Sequence, residues 1–180
     1  MNKKQTMING KNIRLRTLVK TDLQNRVRWF NNPKVNQFLI LNEKFSINKT
    51  RQWFQKAKDD PGRKDFIIET KSGIPIGCIG FRQINRINRS ACFYIIIGEK
   101  TFWDKGIGTE STKLLFKWGF ERLKLNKIWS NIRADNKKSI RLLIKVGFAR
   151  EGLLREEALI RGRKEDIIRF GLLEKEFKNF

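Results

Sequence analysis

The sequence predicts a mixed α+β fold: a single mixed, mostly antiparallel sheet of about seven strands flanked by about four helices. Three observations predict it. Apolar residues fall at helical spacing in two early segments, alternate or cluster as β-rich runs through the middle, and return to helical spacing after Gly106. The resulting order, strand, two helices, three strands, helix, strand, helix and two strands, suits a sheet with helices on its faces. No internal repeat, low-complexity tract or Pro/Gly/Ser linker interrupts the 180 residues, so one domain spanning 1–180 is expected.

Each element has a local reason. Ile13, Leu15 and Thr17 alternate with Arg14 and Arg16, a half-buried strand. Thr21-Asp22-Leu23-Gln24 has the form of a capping box, opening a helix that carries Leu23, Val27 and Phe30 and stops near Asn32-Pro33. Ser46 is the candidate cap of a second helix with Trp53, Phe54 and Ala57 inward, ended by Asp59-Asp60-Pro61-Gly62. Asp65 to Thr70, Ile74 to Gln83 and Arg89 to Ile97 are β-rich and separated by turn residues, the pattern of an antiparallel meander. After Gly106, Ile107, Ser111, Leu114, Leu115 and Trp118 share one helix face, while Phe116, Phe120 and Leu123 form a second stripe, so this helix is well buried. Lys127 to Arg133 is a short strand. Asn136 caps a helix with Ile140, Leu143 and Ile144 inward that ends at Gly147. Two β-like runs around Arg161-Gly162-Arg163 form a closing hairpin.

Composition excludes several chemistries. Histidine is absent, which removes imidazole bases, Ser-His-Asp triads and His-based zinc sites. The two cysteines, Cys78 and Cys92, lack metal-ligand spacing and are expected as buried thiols; no metal is expected. No apolar run approaches the roughly 20 residues of a membrane span, and the basic N-terminus has no apolar stretch behind it. A cytoplasmic location with no membrane partner is therefore expected. The net charge of +22 favours an anionic partner, either nucleic acid, anionic lipid or a phosphorylated small molecule. The abundance of Lys, Asn and Ile is the competing explanation, a compositional bias without function.

Residues 102–111, FWDKGIGTES, follow a predicted strand and open a long helix. Strand, Gly-x-Gly, helix presents unpaired backbone N–H groups and the positive end of a helix dipole to an anion. By itself the motif is either a phosphate cradle or an ordinary helix start, since it matches neither the dinucleotide fingerprint nor the P-loop.

The run IIIGEKTFWDKGIGTES, followed about thirty residues later by RADNKKSIRLLIKVGFAREG, resembles the GNAT superfamily of acetyl-CoA-dependent N-acetyltransferases, and within it the ribosomal-protein N-terminal acetyltransferase branch. The resemblance runs from Ile13 to about Leu173. The family pattern Q/R-x-x-G-x-G/A falls on Trp103, Asp104, Lys105, Gly106, Ile107 and Gly108, with Trp103 in place of the usual first residue. The resemblance implies that amides from Lys105 to Thr109 hold the CoA pyrophosphate and that Asn136 bonds the pantetheine arm. Lys138 and Arg141 either add charge at the nucleotide end or are solvated surface. It also implies that Tyr94 to Ile97 splay from Ser130 to Arg133, with N–H groups near Ile96 and Ile97 polarising the thioester carbonyl.

Many family members carry a tyrosine as the acid for the leaving thiolate where this chain has Leu143. Ser139 stands where the ribosomal-protein branch carries a serine in that role, and Tyr94 is the only tyrosine, an acid or a packing residue. The attacking amine must first lose a proton. Glu99, beside the expected slot, is the first candidate base, with Glu69 and Glu110 behind it. Residues 29–35 belong to the acceptor region, and the stretch from Trp29 through Trp53 also resembles members acting on nucleotide-linked amino sugars. The acceptor is thus a protein N-terminus or an amino-sugar or other small-molecule amine. A nucleic-acid or ribosome-binding module and a catalytically silent CoA-binding relative are the rival readings.

Overall fold

The computed structural model describes residues 6–40 and 43–177. Its strands are β1 (Met7–Asn9), β2 (Ile13–Thr17), β3 (Lys64–Thr70), β4 (Pro75–Asn85), β5 (Ser90–Ile97), β6 (Lys127–Arg133), β7 (Ala149–Ile160) and β8 (Arg163–Leu173). The α-helices are α1 (Leu23–Asn31), α2 (Pro33–Asn36), α3 (Ile47–Ala57), α4 (Ile107–Arg122) and α5 (Lys137–Lys145). One sheet runs β1-β2-β3-β4-β5-β6-β8-β7. All its pairs are antiparallel except β5 with β6. The mixed, mostly antiparallel fold expected from sequence is the fold observed.

Two elements exceed the expectation. β1 is a three-residue edge strand joined to β2 through Gly10, whose N–H donates to Ile13 O at 2.9 Å. α2 is a single turn with Pro33 at its start, its first turn capped by Asn32 accepting from Lys34 N–H at 3.0 Å. Neither is long enough to show periodicity. The expected capping box at Thr21 also gives way. Asp22 accepts from Val19 N–H at 2.9 Å and from Arg16 at 2.7 Å, so a short 3₁₀ turn (Lys20–Asp22) precedes α1. Ile144, expected inward, is 59% exposed, because Leu143 and Val146 take the inward face of α5.

The core lies in two layers. α4 and α5 cover one sheet face, where Phe116 meets Phe93 at 4.8 Å between ring centres and Phe148 at 5.4 Å. α1 and α3 cover the other, where Leu23, Trp29 and Phe30 pack with Ile67, Cys78 and Ile96. Cys78 and Cys92 are buried free thiols, and burial lifts Cys78 to about 11. Among the described residues no helix is long and apolar enough to cross a membrane.

The hairpin closing the sheet turns on Arg161 and Gly162, both at positive φ, the backbone a tight type I′ turn requires. Gly147, at φ 97°, ends α5 as its sequence position predicts.

Candidate active site

The parallel pair makes the opening. β5 and β6 pair only from Ser90 to Cys92 against Lys127 to Trp129. Beyond Trp129 the strands part, and Ser130 Oγ donates to Phe93 O at 3.1 Å where they separate. A cavity of about 640 Å³ occupies the split, lined by Phe93 to Ile96 on one side and Ser130 to Arg133 on the other. From the α5 side it receives Asn136, Ser139, Leu142 and Leu143; from the opposite face, Arg26, Trp53, Arg63 and Arg82. The sheet is therefore pierced, and a donor on one face can meet an acceptor on the other.

The glycine turn stands beside α5. Gly106 is left-handed at φ 78°, a conformation that costs other residues about 1 kcal/mol or more, and a Cβ there would meet nothing within 4 Å. The first intrahelical bond runs from Glu110 N–H to Gly106 O at 3.0 Å, which leaves the amides of Ile107, Gly108 and Thr109 without partners in the helix. A Gly108 Cβ would lie 3.6 Å from Leu142, a cavity residue, so turn and cavity are neighbours. Open space, bare amides and a helix N-terminus fit a pyrophosphate, and the split strands fit an extended thiol arm.

The predicted residues divide into groups. Asn136 and Ser139 reach the cavity: Asn136 Oδ1 caps α5 by accepting Ser139 N–H at 3.1 Å, and the Ser139 hydroxyl makes no hydrogen bond among the described residues. Tyr94 also lines the cavity, donating its O–H to Asp65. Burial, with the Asp65 carboxylate beside it, holds that phenol well above its ordinary value. Trp103 serves the turn itself, its indole N–H bonded to Ile97 O at 2.9 Å. Lys138 reaches back from α5 to Asp104 at 2.9 Å, tying helix to turn. Ile107 is buried in the core, Lys105 is exposed near Phe102, and Arg141 is exposed on the outer side of α5 away from the cavity lining.

The backbone of β5 refines one expectation. Gly98 N–H donates to Ile76 O, so alternation along the antiparallel ladder turns the Ile96 amide toward β4, opposite Cys78. Phe93 O and Ile97 O both accept from the other side, from Ser130 and Trp103. The amides of Ile95 and Ile97 therefore face the split, and Ile96 does not.

Glu99 lies outside the cavity lining, held by Arg28 and by the Trp29 indole N–H at 2.8 Å. Glu69 is bound between Arg14 and Arg16; burial would raise its pKa, but the two guanidinium groups outweigh that and hold it below the ordinary 4.5. Glu110 accepts from Asn12 N–H at 2.8 Å and its side-chain amide at 2.9 Å. All three candidate bases are thus engaged in other bonds.

Sequence reasoning located the opposite end of the cavity, where Phe30 and Trp53 of the expected acceptor region line it, but missed its arginines. Arg26 is 7% exposed and sandwiched between Phe30 and Trp53, its guanidinium carbon 4.2 and 4.0 Å from the ring centres. Arg63 bonds Asp65 at 3.0 and 3.2 Å, and Arg82 donates to Cys92 Sγ at 3.4 Å. No local motif marks them. Only the pairing of β3 with β4 brings two of them together.

Comparison with known proteins agrees with this geometry. The acetyltransferase (GNAT) domain model matches residues 12–149. Spermidine N(1)-acetyltransferase of Vibrio cholerae is 29% identical over 165 residues, 92% of this chain and 95% of its own. A crystal structure of spermidine N-acetyltransferase from Vibrio cholerae in complex with CoA and spermine superposes with a TM-score of 0.88 at 28% identity, covering 94% of this chain and all of that one. A Bacillus subtilis protein provisionally named a ribosomal N-acetyltransferase is 30% identical over 102 residues, 57% of this chain and 55% of its own.

Proposed function

The chain belongs to the acetyltransferase (GNAT) domain family, and from that premise we propose that it transfers an acetyl group to the primary amine of a small molecule, acting as one acetyltransferase domain. It is an N-acetyltransferase with acetyl-CoA as donor. The observation that carries the acceptor side is the cavity that passes between the parted ends of β5 and β6 from one sheet face to the other.

In this reading the amides of Ile107 to Thr109 bind the pyrophosphate, and Asn136 and the free edge of β5 hold the pantetheine arm. The amine enters from the α1 and α3 face and attacks the thioester carbonyl directly. The amides of Ile95 and Ile97 stabilise the oxyanion. The C–S bond then breaks, and Ser139, recovering its proton from water, protonates a thiolate that, with an ordinary pKa of about 8.5, needs little help. An alkylamine is only about one part in a thousand neutral at pH 7. The guanidinium groups around the acceptor end favour the neutral form, since like charge disfavours the ammonium. The two carboxylates lining the cavity among the described residues, Glu43 and Glu157, are both exposed, and in this reading the proton leaves through water.

Similarity to polyamine acetyltransferases supports the small-molecule acceptor. The ribosomal-protein branch, resembled by the two motifs, has the shorter Bacillus match behind it and is the second reading. Against it, a chain of net charge +22 repels basic ribosomal proteins.

Thermal-shift titration with acetyl-CoA, with ATP and a short RNA at matched ionic strength, tests the donor end. A saturable rise specific to acetyl-CoA is expected, about 2.7 kcal/mol at a hundredfold excess over Kd. Equal rises from every polyanion would replace this reading with nonspecific nucleic-acid binding. CoA release followed over an amine panel and an N-terminal peptide then separates the two acceptor readings.

A further inference from the structure

We infer that the amine acceptor carries an anionic group, a phosphate or a carboxylate, and that Arg82, Arg63 and Arg26 bind it. The inference rests on the acetyltransferase reading and specifies its substrate class. Six of the side chains lining the cavity are cationic and two, Glu43 and Glu157, are anionic. Lys49 engages Glu43 at 3.1 Å, and Arg133 is answered by Asp135 and Glu165. Lys44 and Glu157, both exposed, line the cavity as well; the other three cations are the guanidiniums of Arg26, Arg63 and Arg82, of which Arg63 is bonded to a carboxylate, Asp65.

That carboxylate, Asp65, is shared by Arg63 and the Tyr94 hydroxyl. Arg26, 7% exposed, makes no ion pair among the described residues; its hydrogen bond goes to Cys78 Sγ at 3.7 Å. A thiol is a weak acceptor, and a buried guanidinium without an anion is costly. Among the described residues the exposed Arg82 is bonded to a thiol alone, that of Cys92. Lys64 pairs with Phe81 across β3 and β4, so Arg63 and Arg82 flank the end of that pairing. Like charges held near one another repel unless an anion lies between them. Trp53 joins two of the three, with Arg26 at 4.0 Å and Arg63 at 5.3 Å from its rings. A planar fork of N–H donors is the geometry that recognises phosphate or carboxylate.

The test uses the full chain saturated with CoA and measures midpoint shifts with phosphoethanolamine, β-alanine, ethanolamine and spermidine at equal ionic strength. Saturable shifts are expected from phosphoethanolamine or β-alanine and not from ethanolamine or spermidine; the stronger of the two anions identifies the group. Arg82→Gln, at an exposed position, should weaken the anionic probe roughly tenfold or more, the loss of a charge-assisted hydrogen bond. Lys117→Gln on α4, an equal loss of charge at a remote exposed site, should leave that affinity unchanged. Equal binding of spermidine, absence of binding by both anionic amines, or equal weakening in the two variants overturns the inference while leaving the acetyltransferase reading intact. A chain that shows no saturable shift with CoA itself overturns both.

Discussion

Replacing Gly108 by alanine separates what the fold requires from what the cofactor requires. Gly108 is the second residue of α4, its φ is not in the left-handed region, and a Cβ there would meet Leu142 methyls at ordinary contact distances of 3.6 and 3.9 Å. The polypeptide alone therefore has no need of glycine here. Alanine should stabilise the helix by up to about 1 kcal/mol, raising the midpoint of ligand-free unfolding by about 2–4 °C in a chain of this size. The same methyl would stand in the gap between the amides opening α4 and the cavity wall at Leu142, where the proposed reading has the cofactor pass from turn to slot. Pushing the pyrophosphate off one amide forfeits a charge-assisted bond of about 1.5–3 kcal/mol, a Kd raised roughly 10- to 100-fold. Unfolding without ligand and calorimetric titration with acetyl-CoA read the two effects separately. A higher midpoint with unchanged Kd would refute the cradle at this position. A lower midpoint would mean the glycine serves the fold after all. Gly106→Ala is the contrasting case: at φ 78° it should lose about 1 kcal/mol of stability through backbone strain alone.

Ser139→Ala should leave acetyl-CoA affinity nearly unchanged, because the cap uses the Ser139 backbone N–H, and lower kcat about 10- to 100-fold; an unaltered kcat would remove Ser139 as the acid. Glu69→Gln breaks an ion pair whose carboxylate is 5% exposed and should cost about 3 kcal/mol near neutrality. Because the folded pKa of Glu69 lies below 4.5, that stabilisation is present above the ordinary value and lost as pH falls through the folded one, so the midpoint gap between wild type and variant should close in acid; a gap constant from pH 7 to pH 3 would contradict the assignment. Gly98→Ala would drive a methyl into the ring of the fully buried Trp29, costing about 1–3 kcal/mol by overpacking, measured by denaturant unfolding; a neutral effect would show that the Trp29 site yields. Finally, log kcat/KM should climb with unit slope from pH 6 toward the pKa of the amine, and a plateau near neutrality would reveal a dedicated base.

The sequence was most legible where chemistry is local. The Asn136 cap, the Gly147 terminator, the Ser46 cap and the closing hairpin around Arg161-Gly162-Arg163 each depend on residues near one another in the chain, and each is found as read. It was least legible where a distant group competes. Thr21 lost its capping role because Arg16, a strand away, draws Asp22 into an ion pair and a different turn. Glu99 had the right position along the chain for a base, but Arg28 and Trp29 of α1 hold it outside the cavity. The β5 amides could be assigned to a slot from the resemblance, yet which of them faces it depends on ladder alternation, visible only once β4 is placed.

The same distinction runs through the site itself. Its proposed donor end is made of backbone: glycines, the opening amides of α4 and the unpaired edge of β5, features that tolerate wide change in side chains and leave a compact trace in sequence. Its acceptor end is made of side chains drawn from α1, α3, β4 and the residue before β3, each unremarkable in its own segment. A proposed donor site of this kind can therefore be held in common at 28–29% identity without requiring a shared acceptor. A polycation and an anion-bearing amine present the same nucleophile to the thioester and differ only in what surrounds it. For this chain the surroundings include the guanidinium groups of Arg26, Arg63 and Arg82 together with Asp65, Lys44 and Glu157, so the inferred substrate class turns on charge at the acceptor end rather than on overall similarity.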